Sequence, residues 1–312
     1  MLDHGWPPQW GGHDGDRGSP LLLRLQYLVE AALFFLMIGF FRLLGLKASS
    51  EFGGWLGRTF GPLIPRHRYA KKRLRRVMPE VGDAEAEKIL NAMWDNLGRT
   101  TAELPHLDKF HPLQPGGRCE LAGIDIAQRI KDEGAGAIFV SGHFANWELM
   151  PMAMDRFGLK GGEVYRAINN PFINRYIVGL RSKYVCAQQI PKGPQGVRGL
   201  VDLLRKKGHI AMLVDQKMND GVEAPFFGLP SMTPSAAAQL HLRHGIPIVP
   251  ASIERSPGPN FLMRVFEPIR HQPTGNREED LRAIMTKVNA FLEERIRARP
   301  HEWMWLHRRW KD

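Results

Sequence analysis

The order of apolar and polar positions divides the chain into three regimes. Residues 1–19 are polar and rich in glycine and proline, and are expected to be disordered. A hydrophobic stretch follows from Leu21 to Leu46, broken only by Arg24, Glu30 and Arg42, with an uncharged run from Ala31 to Phe41. From Asp83 to Glu103 the apolar residues Ile89, Met93, Trp94 and Leu97 recur at spacings of three and four, which predicts a helix. Beyond Gly134 short apolar runs alternate with helical patterns. Ile138–Val140, Glu163–Tyr165, Ile210–Val214, Ile246–Ile253 and Phe261–Phe266 read as strands. Trp147–Phe157, Pro171–Lys183, Gln195–Lys206, Ser235–His244 and Arg277–Arg297 read as helices. Gly245 is placed to stop the Ser235–His244 helix, and Pro247 with Pro250 suggests an edge or irregular course for the strand after it. Strands alternating with helices predict an α/β layered domain.

The hydrophobic stretch is borderline for crossing a bilayer, which takes about 20 mostly apolar residues. It can span with Arg24 and Arg42 snorkelling, lie within one leaflet, or be a buried soluble helix. No small-residue cleavage site follows it, so it does not read as a signal peptide. Basic residues are sparse before it and dense after it: Arg66, Arg68, Lys71, Lys72, Arg73, Arg75 and Arg76. That asymmetry places the body in the cytoplasm and suits anionic headgroups, although a solvated helix face gives the same run. The 312 residues carry 43 Lys and Arg against 32 Asp and Glu, a net charge of +11 that calls for an acidic partner. Zinc spacing, an RNA-recognition signature and a helix-turn-helix are all lacking, which disfavours nucleic acid. Two cysteines, Cys119 and Cys186, make no disulfide framework.

Candidate chemistry gathers where predicted strands end. His143 follows Ile138–Val140, and Glu148 lies five residues on. Within one helix that spacing turns through about 140°, so the pair meets only if His143 stands at a strand-to-helix corner and Glu148 in the first turn. A carboxylate there would fix the imidazole tautomer and let His143 take a proton from an alcohol. Arg166 ends the next predicted strand, and Asp215, followed by Gln216, ends Ile210–Val214. Three strands thus deliver His143, Arg166 and Asp215 to one edge, where sites of open α/β sheets lie, though structural ion pairs make the same pattern. Ser141 lacks the glycine that precedes the serine of a nucleophile elbow. His241 and His244 sit three apart with no obvious third ligand, so no metal site is expected. Pro225–Gly228 is an apolar turn that either lines an acyl slot or packs the core.

These residues carry a resemblance. His143-Phe-Ala-Asn-Trp-Glu148 resembles the His-x4-Asp/Glu motif of the glycerolipid acyltransferase superfamily. Val164–Pro171, Arg181, Asp215-Gln216, Pro225–Gly228 with Thr233, and Trp303–Trp310 narrow it to the lipid A biosynthesis lauroyl/myristoyl acyltransferases, from about residue 20 to the end. Where that family often has an Asp-rich turn, this chain has Lys217–Gly221. The resemblance implies an inner-membrane enzyme facing the cytoplasm, which moves a fatty acyl group from an acyl carrier protein thioester to a hydroxyl of a lipid A precursor. It implies His143 as general base, Glu148 as its partner, and Arg166, Arg181 and Asp215 as further active-site residues. No metal or cofactor is required beyond the donor's acyl-phosphopantetheine.

The expected architecture is therefore a layered mixed sheet flanked by helices, glycerolipid-acyltransferase-like, over residues 50–312. A membrane-anchor helix over 20–49 precedes it. Arg166 or Arg181 is placed to meet the oxyanion of thioester attack, with Asp215 orienting one of them. The closing Pro300–Trp310 segment is open to two readings: a membrane-interface belt, or tryptophans docked in the core. Two other functions fit the residues: an acyltransferase acting on a lysophospholipid or aminolipid, and a non-catalytic protein that binds anionic lipid.

Overall fold

The computed structural model describes residues 20–310, so the expectation for 1–19 lies outside the described residues. Four helices lead: α1 (Pro20–Leu44), α2 (Leu46–Phe60), α3 (Arg66–Val77) and α4 (Asp83–Glu103). The expected junction of anchor and body at 49/50 falls within α2. Helices α2 and α4 pack backbone against backbone through Gly53, Gly57 and Gly98. A Cβ on Gly57 would sit 2.0 Å from the Trp94 carbonyl oxygen, and one on Gly98 2.1 Å from that of Gly53. Alanine at either would prise the pair apart.

The α/β layers follow: β1 (Cys119–Ala122), α5 (Ile124–Glu133), β2 (Ile138–Ser141), α6 (Leu149–Phe157), β3 (Gly161–Tyr165), α7 (Pro171–Tyr184), β4 (Gln188–Pro191), α8 (Pro194–Arg205) and β5 (His209–Leu213). A hairpin, β6 (Val222–Phe226) with β7 (Leu229–Thr233), precedes α9 (Ala236–His244), β8 (Ile248–Ser256), β9 (Asn260–Val265) and α10 (Arg277–Ala298). Seven strands form one mixed sheet in the order β1-β9-β8-β2-β5-β3-β4. Strands β8, β2, β5, β3 and β4 are mutually parallel, β9 is antiparallel to β8, and β1 is parallel to β9. Ile138–Val140 and Ile210–Met212, at its centre, are buried, as both faces carry helices. Sequence starts the helices cleanly. Asn170 accepts from the amides of Phe172 and Ile173 ahead of Pro171, and Asn276 caps α10 above Glu278, Glu279 and Asp280.

The strand expected at an edge is instead interior, since β8 lies between β9 and β2. Its prolines are tolerated for local reasons. Pro247 precedes the strand and offers its carbonyl to Ile138 N–H (2.9 Å). Pro250 faces Phe266, just past the end of β9, so its missing N–H breaks no rung of the ladder. Strands β1 and β4 and the β6–β7 hairpin were not legible, because Gln188-Gln-Ile-Pro191 and Val222-Glu-Ala-Pro-Phe226 carry no long apolar run.

Helix α1 is apolar over Leu21–Leu44, with mean hydropathy 1.9 and 17% of the span buried. It lies along the body rather than projecting from it. Asn170 donates to Tyr27 O (2.8 Å) and Glu30 (3.1 Å), Tyr176 meets Phe34 and Phe35 edge-on, and Arg42 reaches Asp108 (2.6 Å) and Pro105 O (2.8 Å). Leu22, Leu25, Val29, Leu33, Leu36 and Leu43 point outward and are exposed.

Of the two readings of the C-terminal segment, the core packing is the one observed. Trp303, Trp305 and Trp310 are buried, and Trp310 stacks on Phe226 of the hairpin (5.3 Å). Phe226 and Phe227 belong to the same cluster, so the apolar turn packs the core. Arg309 is fully buried; its two Nη groups donate to Met232 O (2.8 Å), Thr233 (2.8 Å) and Asn289 (3.0 Å), its Nε has no partner, and Phe226 lies beneath the guanidinium. Burial pulls its pKa down to about 10.

Candidate active site

Strands β2, β5 and β3 are neighbours, and the residues just after them face one cavity at their carboxyl ends. The cavity has a volume of about 240 Å3 and is lined by His143, Trp147, Glu148, Glu163, Arg166, Arg181, Lys192 and Gln216. Met150, Pro151, Val164, Met212, Leu213 and Met304 give it an apolar wall.

His143 sits on a tightly held corner. Gly142 has no room for a side chain: a Cβ there would lie 2.9 Å from the Phe144 ring and 3.3 Å from Asp215 Oδ2. Ala145 takes φ 43°, unusual for a residue with a Cβ. The strain persists because α4 and the C-terminal segment grip the turn. Ala145 N–H donates to Glu302 O (3.0 Å), its carbonyl accepts from Thr100 (2.9 Å) and Asn96 (3.3 Å) of α4, and His143 O accepts from Met304 N–H (3.2 Å). Asn146 donates to the buried Glu103 (2.9 Å), which also holds Arg255 and Ser50.

The acid that meets the imidazole is Asp215, not Glu148. His143 Nδ1 lies 2.7 Å from Asp215 Oδ1, and the His143 backbone N–H donates to Oδ2 at 2.8 Å. Trp303 Nε1–H donates to the same Oδ2 at 2.8 Å. Burial opposes ionisation of Asp215, but the His143 imidazole and its bonds outweigh burial and hold the carboxyl well below the usual range. An ionised Asp215 requires a proton on Nδ1, which leaves the Nε2 lone pair directed to the cavity. Only 13% of the imidazole is exposed, enough for one group to reach it.

Glu148 does share the cavity with His143 but makes no hydrogen bond to it. It stands at the N-cap of α6, and its carboxylate is gripped by Arg181 from α7 through Nε (2.7 Å) and Nη2. Trp147 Nε1–H donates to it as well (3.1 Å). The expected His143–Glu148 contact fails because the chain between them turns at Ala145, aiming Glu148 toward α7. Glu163 of β3 lies 3.6 Å from Arg181 Nε. Burial, then the Glu148 charge, pushes its pKa up to about 7. With its guanidinium between two carboxylates, Arg181 has no charge to spare for an oxyanion. Arg166 and Lys192 differ: neither makes an ion pair or side-chain hydrogen bond among the described residues. They follow paired residues of β3 and β4, Tyr165 and Pro191, and Lys192 N–H donates to Tyr165 O (2.8 Å). Burial lowers the Lys192 pKa, with Asp215 opposing and Arg166 adding to the shift.

Two further residues complete the site. Gln216 Nε2 is 3.2 Å from His143 Nε2 and 3.1 Å from His307 Nε2, and the two imidazole centroids are 4.9 Å apart. Burial pulls the His307 pKa down to about 4. His241, one of the two histidines weighed as metal ligands, instead bonds Ile246 O through Nδ1 (2.8 Å), and among the described residues no group of three His, Cys, Asp or Glu side chains is placed to hold a metal ion.

The model of the bacterial lipid A biosynthesis acyltransferase family matches residues 17–312. The chain belongs to that family. A curated relative, the lipid A biosynthesis lauroyltransferase of Escherichia coli (strain K12), is 24% identical over 253 residues, 79% of either chain. Family membership makes this chain an acyltransferase of lipid A biosynthesis, with the mixed α/β architecture expected of it. Within this lipid A acyltransferase the sequence brought forward His143, Glu148, Arg166, Arg181 and Asp215, and all but Asp215 line the described cavity while Asp215 buttresses it. Glu163, Lys192 and His307 were missed. Lys192 follows a strand too polar to recognise, and His307 comes from the far end of the chain, which no local spacing links to His143.

Proposed function

We propose that the protein transfers a fatty acyl group from the phosphopantetheine thioester of an acyl carrier protein to a hydroxyl of a lipid A precursor, with His143 as general base and Asp215 as its orienting acid. The observation that carries this reading is the Asp215–His143 pair at 2.7 Å, with Nε2 aimed into a half-apolar cavity. The acceptor hydroxyl gives its proton to Nε2 while its oxygen bonds to the thioester carbonyl carbon. Asp215 stabilises the imidazolium. Collapse of the tetrahedral intermediate breaks the C–S bond, and the departing sulfur takes the proton back from Nε2. This chemistry calls on no cofactor beyond the donor's own thioester.

Arg166 and Lys192, cationic and unpaired at the cavity, hold the acidic groups of the acceptor. The Glu148–Arg181–Glu163 cluster keeps the cavity wall in shape. Helix α1 supports membrane association of a lying, rather than crossing, kind. Its contacts with the body span residues 27–42, about 23 Å of helix, and would be lost if it left to cross a bilayer. The outward row from Leu22 to Leu43 enters the acyl region of one leaflet. Arg68 and Lys72 of α3 add basic groups for anionic headgroups, and the body faces the cytoplasm at the inner membrane. Helix α7 touches α1 through Asn170 and Tyr176 and the cavity through Arg181, so the site lies one helix away from the lipid. Incubating purified protein with an acylated carrier protein and a lipid A precursor tests the reading. One added acyl chain, lost in His143→Ala, supports it; transfer to lysophosphatidic acid alone, or undiminished transfer by His143→Ala, overturns it.

A further inference from the structure

Gln216 occupies an unusual place, because its carboxamide nitrogen touches two imidazoles at once, 3.2 Å from His143 Nε2 and 3.1 Å from His307 Nε2. A carboxamide nitrogen has two N–H bonds and no lone pair to offer. Both ring nitrogens are therefore acceptors, and both rings carry their proton on Nδ1. For His143 this is the tautomer that Asp215 dictates. For His307, burial keeps the ring neutral. One Gln216 N–H thus caps the very lone pair that must take the substrate proton, while the other is anchored on His307.

We propose that Gln216 supplies the oxyanion contact in acyl transfer and that His307 is its positioning residue. The inference rests on the general-base reading of His143. When the acceptor hydroxyl takes its place on His143 Nε2, it displaces one Gln216 N–H. The freed N–H remains about one hydrogen-bond length from the base, since His307 retains the other and prevents the amide from swinging out. The carbonyl oxygen that gains charge is two bonds from the attacking oxygen, so it forms within reach of that freed donor. Of the two cations that sequence offers for this task, Arg181 is committed to Glu148 and Glu163, and Arg166 is assigned to the acidic groups of the acceptor. The exchange is balanced: one donor leaves the imidazole as another, the hydroxyl, arrives, and the released N–H meets the new negative oxygen.

The test uses the full chain, an acylated carrier protein and a lipid A precursor. Removing one oxyanion donor costs roughly 10²–10³ in kcat. Gln216→Ala and Gln216→Met, the latter of similar length but with no N–H, are expected to lose that much kcat with less than about a threefold change in the acceptor KM. Loss of the cap on Nε2 also removes a bond that favours the neutral ring, so the acidic limb of the kcat/KM profile moves to higher pH. The other groups around that ring stay in place: Asp215 after β5, Arg166 after β3, Lys192 after β4, Glu148 before α6 and His307 in the C-terminal segment, itself faced by Arg66 of α3. His307→Phe, which keeps a ring but no acceptor, loses about tenfold or more in kcat, and His307→Gln, which offers a carbonyl to Gln216, recovers most of it. Equal losses in both His307 variants, or kcat within threefold of the parent in Gln216→Met, overturn the inference. If His143→Ala meanwhile loses more than 10² in rate, the general-base reading stands without it; if His143→Ala also keeps its rate, that reading fails first.

Discussion

Replacing Asp215 by asparagine separates two accounts of how the base is armed. Three donors converge on this carboxylate: His143 Nδ1–H, His143 N–H and Trp303 Nε1–H. Asparagine keeps one acceptor oxygen. Two of the three donors lie on Oδ2, so the amide oxygen settles there and the NH2 faces His143 Nδ1. The ring must then accept at Nδ1 and carry its proton on Nε2, where no base remains. A wrong tautomer of this kind costs about 10⁴ in kcat in the serine-protease triad, and we expect a loss of 10²–10⁴ here. The new Nε2–H then faces the Gln216 N–H, and the fold loses roughly 1–3 kcal/mol for that donor left facing a donor. Glu148→Gln makes the contrast. It leaves the imidazole bonds intact and unbalances Arg181, so it lowers activity and stability while the acidic limb of the pH–rate profile stays where it was. The assay is initial-rate acyl transfer from an acylated carrier protein across pH 5–9, with thermal melting as the folding control. Asp215→Asn within threefold of the parent rate, in a protein that melts normally, would refute the reasoning.

Glu163, with its pKa raised to about 7, binds a proton in the folded state that it lacks when unfolded. Its contribution to stability is therefore present below about pH 4.5 and lost as pH rises through about 7. Glu163→Gln should flatten the fall of Tm between pH 5.5 and 8, read by calorimetry; an unchanged slope contradicts the assignment. The pair Arg166→Ala and Lys192→Ala should each raise the acceptor KM about tenfold and leave the acyl carrier protein KM within threefold, whereas a purely kcat effect removes them from acceptor binding. Replacing Leu25, Val29 and Leu36 on the outward row of α1 by serine should cut sedimentation with anionic vesicles several-fold with little change in Tm, since those side chains are exposed. Equal sedimentation of both forms places the membrane contact elsewhere.

The central layers were legible because their signals are local. Ile138–Val140 and Ile210–Val214 are apolar runs followed by polar residues, and parallel pairing brings His143 and Asp215 together. The motif spacing led toward Glu148 as the partner of His143, yet the imidazole binds an acid 72 residues away. Sequence spacing ranks nearby residues, while a parallel sheet pairs distant ones, and the positive φ of Ala145 that redirects Glu148 leaves no trace in composition. Pro250 misled in the same way: its meaning depends on where β9 ends, not on the strand that holds it. The tryptophans of the C-terminal segment fit an interface belt as well as a core in sequence, because the groups that hold Trp310 and Trp303, Phe226 and Asp215, come from distant parts of the chain.

On the proposed function, His143, held by Asp215, moves an acyl chain onto a lipid A precursor. Mass spectrometry of that precursor after incubation with an acylated carrier protein tests it most directly. The parent protein should add the mass of one acyl chain, while His143→Ala and Asp215→Asn add less than about a hundredth as much in the same time. Equal mass gain in all three, or none in the parent while a lysophospholipid is acylated, would contradict it.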